Sequence, residues 1–310
     1  MDAFAHILAR GNENGDCTQS TCPVSESIYG YRPDLGATIF FLVVFTLSGS
    51  IYIWQGVRTK TWVFSIAMVL GSMSEAMGYV AKLLLWKDPF SDPGFKMSVV
   101  LLTFAPAFYA AGVYYTLKHI CLTFGANFSR LRPANYTKIF ITCDIFSISL
   151  QAAGGALASA STTDSILTAG QDVMIAGLAF QVLTLVVFGM FAADYGYAIY
   201  RNRAQLNPAT VELRRSLRFR LFIIALWVAY FAILIRCAYR VAELAGGWID
   251  NPILRAQGLF IGLDSVPIAL AALILNIWHP GWCFPKEQQD VSHQTEKLAS
   301  VASSDAEAQI

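Results

Sequence analysis

Seven apolar stretches, each long enough to cross a bilayer, leave this chain few folds to choose from. They lie near 36–55, 62–85, 99–122, 138–157, 173–195, 221–244 and 258–278. A spanning helix needs about 20 predominantly apolar residues. Lipid offers no partner for backbone N–H and C=O groups, so only helices and closed barrels cross it. The runs are continuous rather than alternating, which reads as helix and not as barrel strand. The expected fold is therefore all-α, a polytopic membrane protein built as a seven-transmembrane-helix bundle. Composition agrees, with 55% hydrophobic and 14% charged residues where soluble domains carry about 25% charged.

Basic residues in the connections orient the bundle. One side collects 13 of them, including Arg58, Arg130 and Lys138, six arginines between Arg201 and Arg220, and Lys286 and Lys297. The other side has five: Arg10, Arg32, Lys87, Lys96 and Arg255. The richer side is expected to be cytoplasmic, which puts the N-terminus outside and the C-terminus inside. The chain then divides into an extracellular or lumenal segment 1–35, a membrane domain 36–281 and a disordered cytoplasmic tail 282–310. Residues 1–16 lack an apolar core of signal-peptide length, so no cleaved signal is expected. Asn127 and Asn135 match the glycosylation pattern but fall on the cytoplasmic side and should stay unmodified. Cys17 and Cys22 fall on the oxidising side, where a short-loop disulfide and two free thiols are both open.

Several spans carry polar side chains at helical spacing. In the sixth, Arg236, Arg240 and Glu243 stand at i, i+4 and i+7 and so share one face. A charge near the bilayer centre costs at least ~2.5–3.5 kcal/mol and must find a partner. Candidate partners are Glu75, Tyr79 and Lys82 on one face of the second span and Asp264, three residues before Pro267, in the seventh. Tyr109 follows Pro106 in the third, Asp144, Ser147 and Gln151 share a face of the fourth, and Gln181 and Thr184 line the fifth. Residues that merely hold helices together are the bland alternative. Polar faces on at least four helices point instead to a polar cavity or path, with carbonyls freed by Pro106 and Pro267 available to line it. The candidate substrate-binding set is Glu75, Tyr79, Lys82, Tyr109, Asp144, Gln151, Gln181, Arg236, Arg240, Glu243 and Asp264. Glu75, about thirteen residues into its helix, needs a basic residue from another helix, water or a cationic substrate to stabilise it. It is expected to serve function more than folding, so that Glu75→Gln keeps abundance.

Other chemistries find no support. No G-x-x-x-x-G-K-[ST] occurs, which removes ATP-driven pumping, and no Lys in the seventh span could carry retinal. Four histidines, at 6, 119, 279 and 293, do not supply a three-histidine zinc site in the membrane. No G-x-S-x-G marks a serine esterase. No enzyme activity, metal or cofactor is expected, and no basic block suggests nucleic acid.

Taken in order, the motifs resemble the fungal RTA-like lipid-translocating exporters, seven-helix proteins named for resistance to aminocholesterol. The matching pieces are Glu75-Ala-Met-Gly-Tyr79, Phe104-Ala-Pro106-Ala-Phe-Tyr109, Asp144-Ile-Phe-Ser147 through Gln151 to Gly154-Gly155, Gly177 to Gln181, Arg236-Cys-Ala-Tyr239-Arg240-Val-Ala-Glu243, Asp264-Ser-Val-Pro267 and His279-Pro-Gly281. Lys82 stands where the family usually has arginine and Cys237 where it usually has serine. An acidic residue and a tyrosine are replaced near Gln257 and Ile261. The resemblance implies export of sphingoid long-chain bases and tolerance of toxic amphiphiles, with membrane lipids or amphipathic small molecules as partners. It implies the plasma membrane as location, an endomembrane or the vacuole being the alternative. A lipid-sensing receptor acting through the basic connection between Arg201 and Arg220 is a second expectation, and a porphyrin or haem transporter a third. An ammonium headgroup would suit Glu75 and Asp264; porphyrin carboxylates would suit Arg236 and Arg240.

Overall fold

Each apolar run folds as one long helix because a helix is the form in which a single segment pairs its own backbone groups inside lipid. The computed structural model describes residues 23–24, 27, 29–160, 163–202, 206, 210–247 and 251–283. Cys17, Cys22 and nearly all of the tail from 282 onwards lie outside the described residues. Seven helices are long and apolar enough to cross a membrane. They are α1 (Leu35–Thr59), α2 (Trp62–Lys87), α3 (Asp92–Phe124), α4 (Pro133–Ser159), α5 (Asp164–Arg201), α6 (Leu217–Ala245) and α7 (Gln257–Cys283). Among the described residues there is no strand. The protein is integral to the membrane.

Local chemistry sets the ends. The Asp34 carboxylate accepts from the Ala37 N–H at 2.7 Å and opens α1, while Lys60 in the left-handed region (φ 59°) closes it. Ser216 caps α6 by accepting from Phe219 N at 3.3 Å. Such caps satisfy N–H groups that have no partner within the helix. The helices outrun the apolar stretches; α5 starts at Asp164 rather than near 173 and ends at Arg201 rather than 195. Hydropathy registers only the lipid-matched part, whereas the helix continues into its polar flanks.

Each helix packs against its neighbours in the chain, and α7 closes the bundle against α1 and α6. The α1–α7 seam is polar: Tyr52 donates to the Ala272 carbonyl at 2.7 Å, Gln55 to that of Asn276 at 2.8 Å, and the Asn276 amide to Ser48 Oγ at 2.6 Å. Helices α4 and α5 approach backbone to backbone through glycine. A Cβ on Gly154 would lie 2.6 Å from the Gly170 carbonyl oxygen and from the Met174 nitrogen. Helix α3 is central, packing against α2, α4, α5, α6 and α7, and it is the most buried of the seven. It runs without interruption through Pro106, where a kink was the alternative to a freed carbonyl. The irregularity falls in α7, where Ile261–Ser265 forms a π-turn before the regular helix Val266–Ile277. The outward faces carry Phe40, Trp54, Leu183, Met190 and Phe231, all more than half exposed in the bare bundle and suited to lipid.

Candidate functional site

Polar residues of α2, α3, α6 and α7 converge in one buried cluster. Arg236 is its centre, with no exposed surface. One terminal nitrogen of its guanidinium pairs with Glu75 of α2. Its Nε lies 3.1 Å from Oδ1 of Asp264 on α7, and its other terminal nitrogen donates to the Leu102 carbonyl of α3 at 2.6 Å. Pro106 explains that last bond. Proline has no N–H, so the carbonyl four residues earlier loses its helical partner, and Arg236 takes its place. The expectation that Pro106 supplies a freed carbonyl is met by Leu102.

Arg240, one turn further along α6, places its own Nε 3.1 Å from the same Asp264 oxygen and donates to Glu243 at 2.5 Å. Tyr239 reaches the other Glu243 oxygen at 3.4 Å, and the Asn251 amide holds the Glu243 carbonyl at 2.5 Å. Asp264 thus bridges both arginines through one oxygen. It sits in the π-turn, a local insertion that is frequent at functional places in helices. Lys82 lies above the Phe260 ring, its ammonium nitrogen 3.1 Å from the centroid and 5.6 Å from that of Tyr29. Tyr79 stacks on Phe41 and Phe45 beside Ser265. Tyr29 precedes the first span, and its phenol is pushed up to about 12, chiefly by burial and further by the Glu243 charge. Three carboxylates, Glu75, Glu243 and Asp264, face three cations, Lys82, Arg236 and Arg240. The cluster is formally neutral.

Asp144 belongs to a second group. It lies beside the Tyr114 hydroxyl of α3, and among the described residues no basic side chain is within ion-pairing distance. On the same face of α4, Ser147 donates to the Gly177 carbonyl at 2.6 Å. Gln151 donates to Ser147 at 2.7 Å and to Gln181 at 3.1 Å. Tyr109 joins neither group and shares a 2.9 Å hydrogen bond with Ser72. The eleven predicted residues are all buried, but they form two packed groups and a separate pair rather than the walls of one polar cavity. Tyr79 and Lys82 line a crevice of about 20 Å³ shared with Tyr31 and Gln257. Several of the polar side chains meet across helices, Arg236 with Glu75 and Asp264 and Gln151 with Gln181, while both Asp144 oxygens and Glu75 Oε2 keep unused hydrogen-bonding capacity. Phe260, Tyr29, Leu102, Tyr114 and Asn251 are participants that periodicity does not single out, because a carbonyl or an aromatic ring carries no polar signal in an apolar run.

The RTA1 like protein family matches residues 68–287, from α2 beyond the end of α7. The chain belongs to that family. It is 32% identical over 290 residues to the sphingoid long-chain base transporter RSB1 of Saccharomyces cerevisiae (strain Lalvin EC1118 / Prise de mousse), covering 84% of this chain and 75% of that protein. Protein RTA1 of Saccharomyces cerevisiae (strain ATCC 204508 / S288c) is 28% identical over 278 residues, covering 82% and 84%. The probable lipid transporter atnI of Emericella nidulans is 26% identical over 277 residues, covering 87% and 70%. No solved structure matches. All members of the neutral cluster except Tyr29 fall within the family match, and the π-turn with Asp264 lies inside it.

Proposed function

We propose that this RTA1-like protein is a non-enzymatic lipid translocator that moves sphingoid long-chain bases, or amphiphiles like them, across its membrane and so confers tolerance of them. The plasma membrane is its proposed place, with the N-terminus outside and the C-terminus in the cytoplasm, as the 13-to-5 division of basic residues suggests. Residues 1–35 would then lie outside and 282–310 inside. The relatives' names support the substrate class.

The observation that carries the proposal is the seat of Lys82. Its side chain ends in a primary ammonium, the same chemical group that heads a sphingoid base. That ammonium rests on Phe260, near Tyr29 and within the field of Asp264, Glu243 and Glu75. Aromatic faces and carboxylates are what an ammonium requires once it leaves water. A substrate ammonium entering from the adjacent crevice would take over the Lys82 position, its hydroxyls meeting Tyr79 and Ser265 and its tail staying in lipid. Arg236 and Arg240 already pair with Glu75, Asp264 and Glu243, which disfavours them as receptors for porphyrin carboxylates.

The test is purified protein in liposomes with a labelled sphingoid base presented on one leaflet. Acceleration of its movement over protein-free liposomes, competed by unlabelled base, is expected. Binding without movement would instead identify a sensor, and neither binding nor movement by folded protein would end the proposal.

A further inference from the structure

A large space lies away from the charged cluster, between α3, α5 and α6 at the end of the bundle where α5 leads into α6. It has a volume of about 950 Å³, near the top of the ~300–1,000 Å³ range of small-ligand sites. Its walls are apolar and come from all three helices: Leu117 and Ile120, Phe188 and Ile199, Ile223 and Leu226. Its rim carries Arg214, Arg215 and Arg220, and among the described residues no Asp or Glu lines it. The wall hydroxyls of Tyr195 and Tyr230 are turned to backbone carbonyls, those of Cys121 and Gly125 at 3.4 and 3.3 Å and that of Leu185 at 3.0 Å. Tyr200 and Ile224 border the space while remaining 64% and 57% exposed, so it opens sideways on the lipid-facing surface.

We propose that this cavity binds an anionic membrane lipid, with acyl chain between α3, α5 and α6 and phosphate at Arg215 and Arg220. Each part of the cavity selects for part of that ligand. An apolar hollow open to the bilayer is filled by hydrocarbon at little cost, since lipid and cavity are alike. Guanidinium groups at the rim recognise phosphate oxygens. Arg215 and Arg220 are exposed and make no ion pair among the described residues, so no internal partner need be displaced. A free anion would make no use of the apolar walls, and a sphingoid ammonium would be repelled by the rim. The site therefore differs in sign and place from the Lys82 seat and does not depend on what that seat binds.

The experiment measures thermal stability of the purified full-length protein in detergent micelles supplemented with phosphatidic acid, phosphatidylcholine or inorganic phosphate. Phosphatidic acid should raise the melting temperature saturably, because a ligand that binds only the native state stabilises it. Phosphatidylcholine and millimolar phosphate should not. A juxtamembrane Lys or Arg near an anionic lipid surface contributes about 5-fold in affinity, so R215Q/R220Q should raise the half-saturating lipid about 25-fold. Gly196→Leu provides a second variant, which narrows the cavity between its walls without touching the arginines. A Cβ there meets nothing within 4 Å, so the variant should fold normally and lose the lipid response. Equal stabilisation by phosphatidylcholine would leave only an apolar surface, and an equal effect of inorganic phosphate would leave only a free-anion site. An undiminished response in Gly196→Leu would place the lipid elsewhere. Any of the three overturns the proposal.

Discussion

Removing the charge of Glu75 is a test of how the bundle is held together. Glu75 and Arg236 have no exposed side-chain surface. In Glu75→Gln the shape survives, but Glu243 and Asp264 are left facing Arg236, Arg240 and Lys82, one buried positive charge in excess. Breaking a buried ion pair from one side costs about 3–5 kcal/mol. A neutral interhelical hydrogen bond in a membrane averages only ~0.6 kcal/mol, so the uncompensated charge decides the outcome. Purified in detergent, the variant should melt on the order of 10 °C lower and accumulate poorly in cells. This reverses the expectation from sequence that its abundance would be normal, because the partner turns out to be a fully buried arginine rather than water or substrate. Glu75→Met with Arg236→Met removes both charges and leaves two acids facing two bases. Replacing a buried pair by apolar groups of similar volume is often neutral, so the double variant should recover most of the stability. A Gln variant as stable as the parent would refute the reasoning. So would a double variant no better than Glu75→Gln.

Gly154→Ala should lose about 1–3 kcal/mol through overpacking, since its Cβ meets backbone of α5 at 2.6 Å, whereas Gly155→Ala meets nothing within 4 Å and should be neutral. Thermal denaturation of the two proteins side by side checks the contrast. Pro106→Ala restores an N–H to the Leu102 carbonyl that Arg236 already occupies, so the substitution should be more favourable by about 1 kcal/mol when Arg236 is already Met and that carbonyl is otherwise unpaired, as a double-mutant cycle would show. An engineered glycosylation acceptor in the connection 158–171 should be used, while Asn127 and Asn135 should carry no glycan. Sugar on either asparagine would reverse the proposed orientation.

The seven helices were legible because each span is an unbroken apolar run, a pattern that only one structure in lipid can satisfy. That Arg236, Arg240 and Glu243 share a face was legible too, since it follows from 3.6 residues per turn. Their partners were not. Spacing along one helix says nothing of register between helices, and the bridging of both arginines by Asp264 depends on a π-turn that leaves no mark in composition. Lys82 was grouped with the carboxylates by charge, while the fold seats it directly on Phe260 with the acids around it. The arginine-rimmed cavity was missed for a different reason. Its walls are ordinary apolar residues, and Arg214, Arg215 and Arg220 looked like markers of topology. Only the packing of α3, α5 and α6 shows that they border a hollow.

The neutral cluster also limits which substrates its position in the membrane can handle. Six ions out of water each carry a desolvation cost of several kcal/mol, and their mutual pairing is what offsets it. Any movement that separates α2 from α6 and α7 must therefore supply a replacement partner for each group it frees. An anion arriving at Arg236 or Arg240 would displace Asp264 or Glu243 and leave a buried carboxylate without a cation. An ammonium arriving at Phe260 displaces only Lys82, which already borders the crevice beside Tyr31 and Gln257 and has a flexible stem with which to reach it. The exchange conserves charge within the cluster and moves the displaced ammonium towards the C-terminal end of α2, where its long stem can bring the head to water. Charge balance in the cluster favours a single-chain cation over a dicarboxylate as the molecule that opens it.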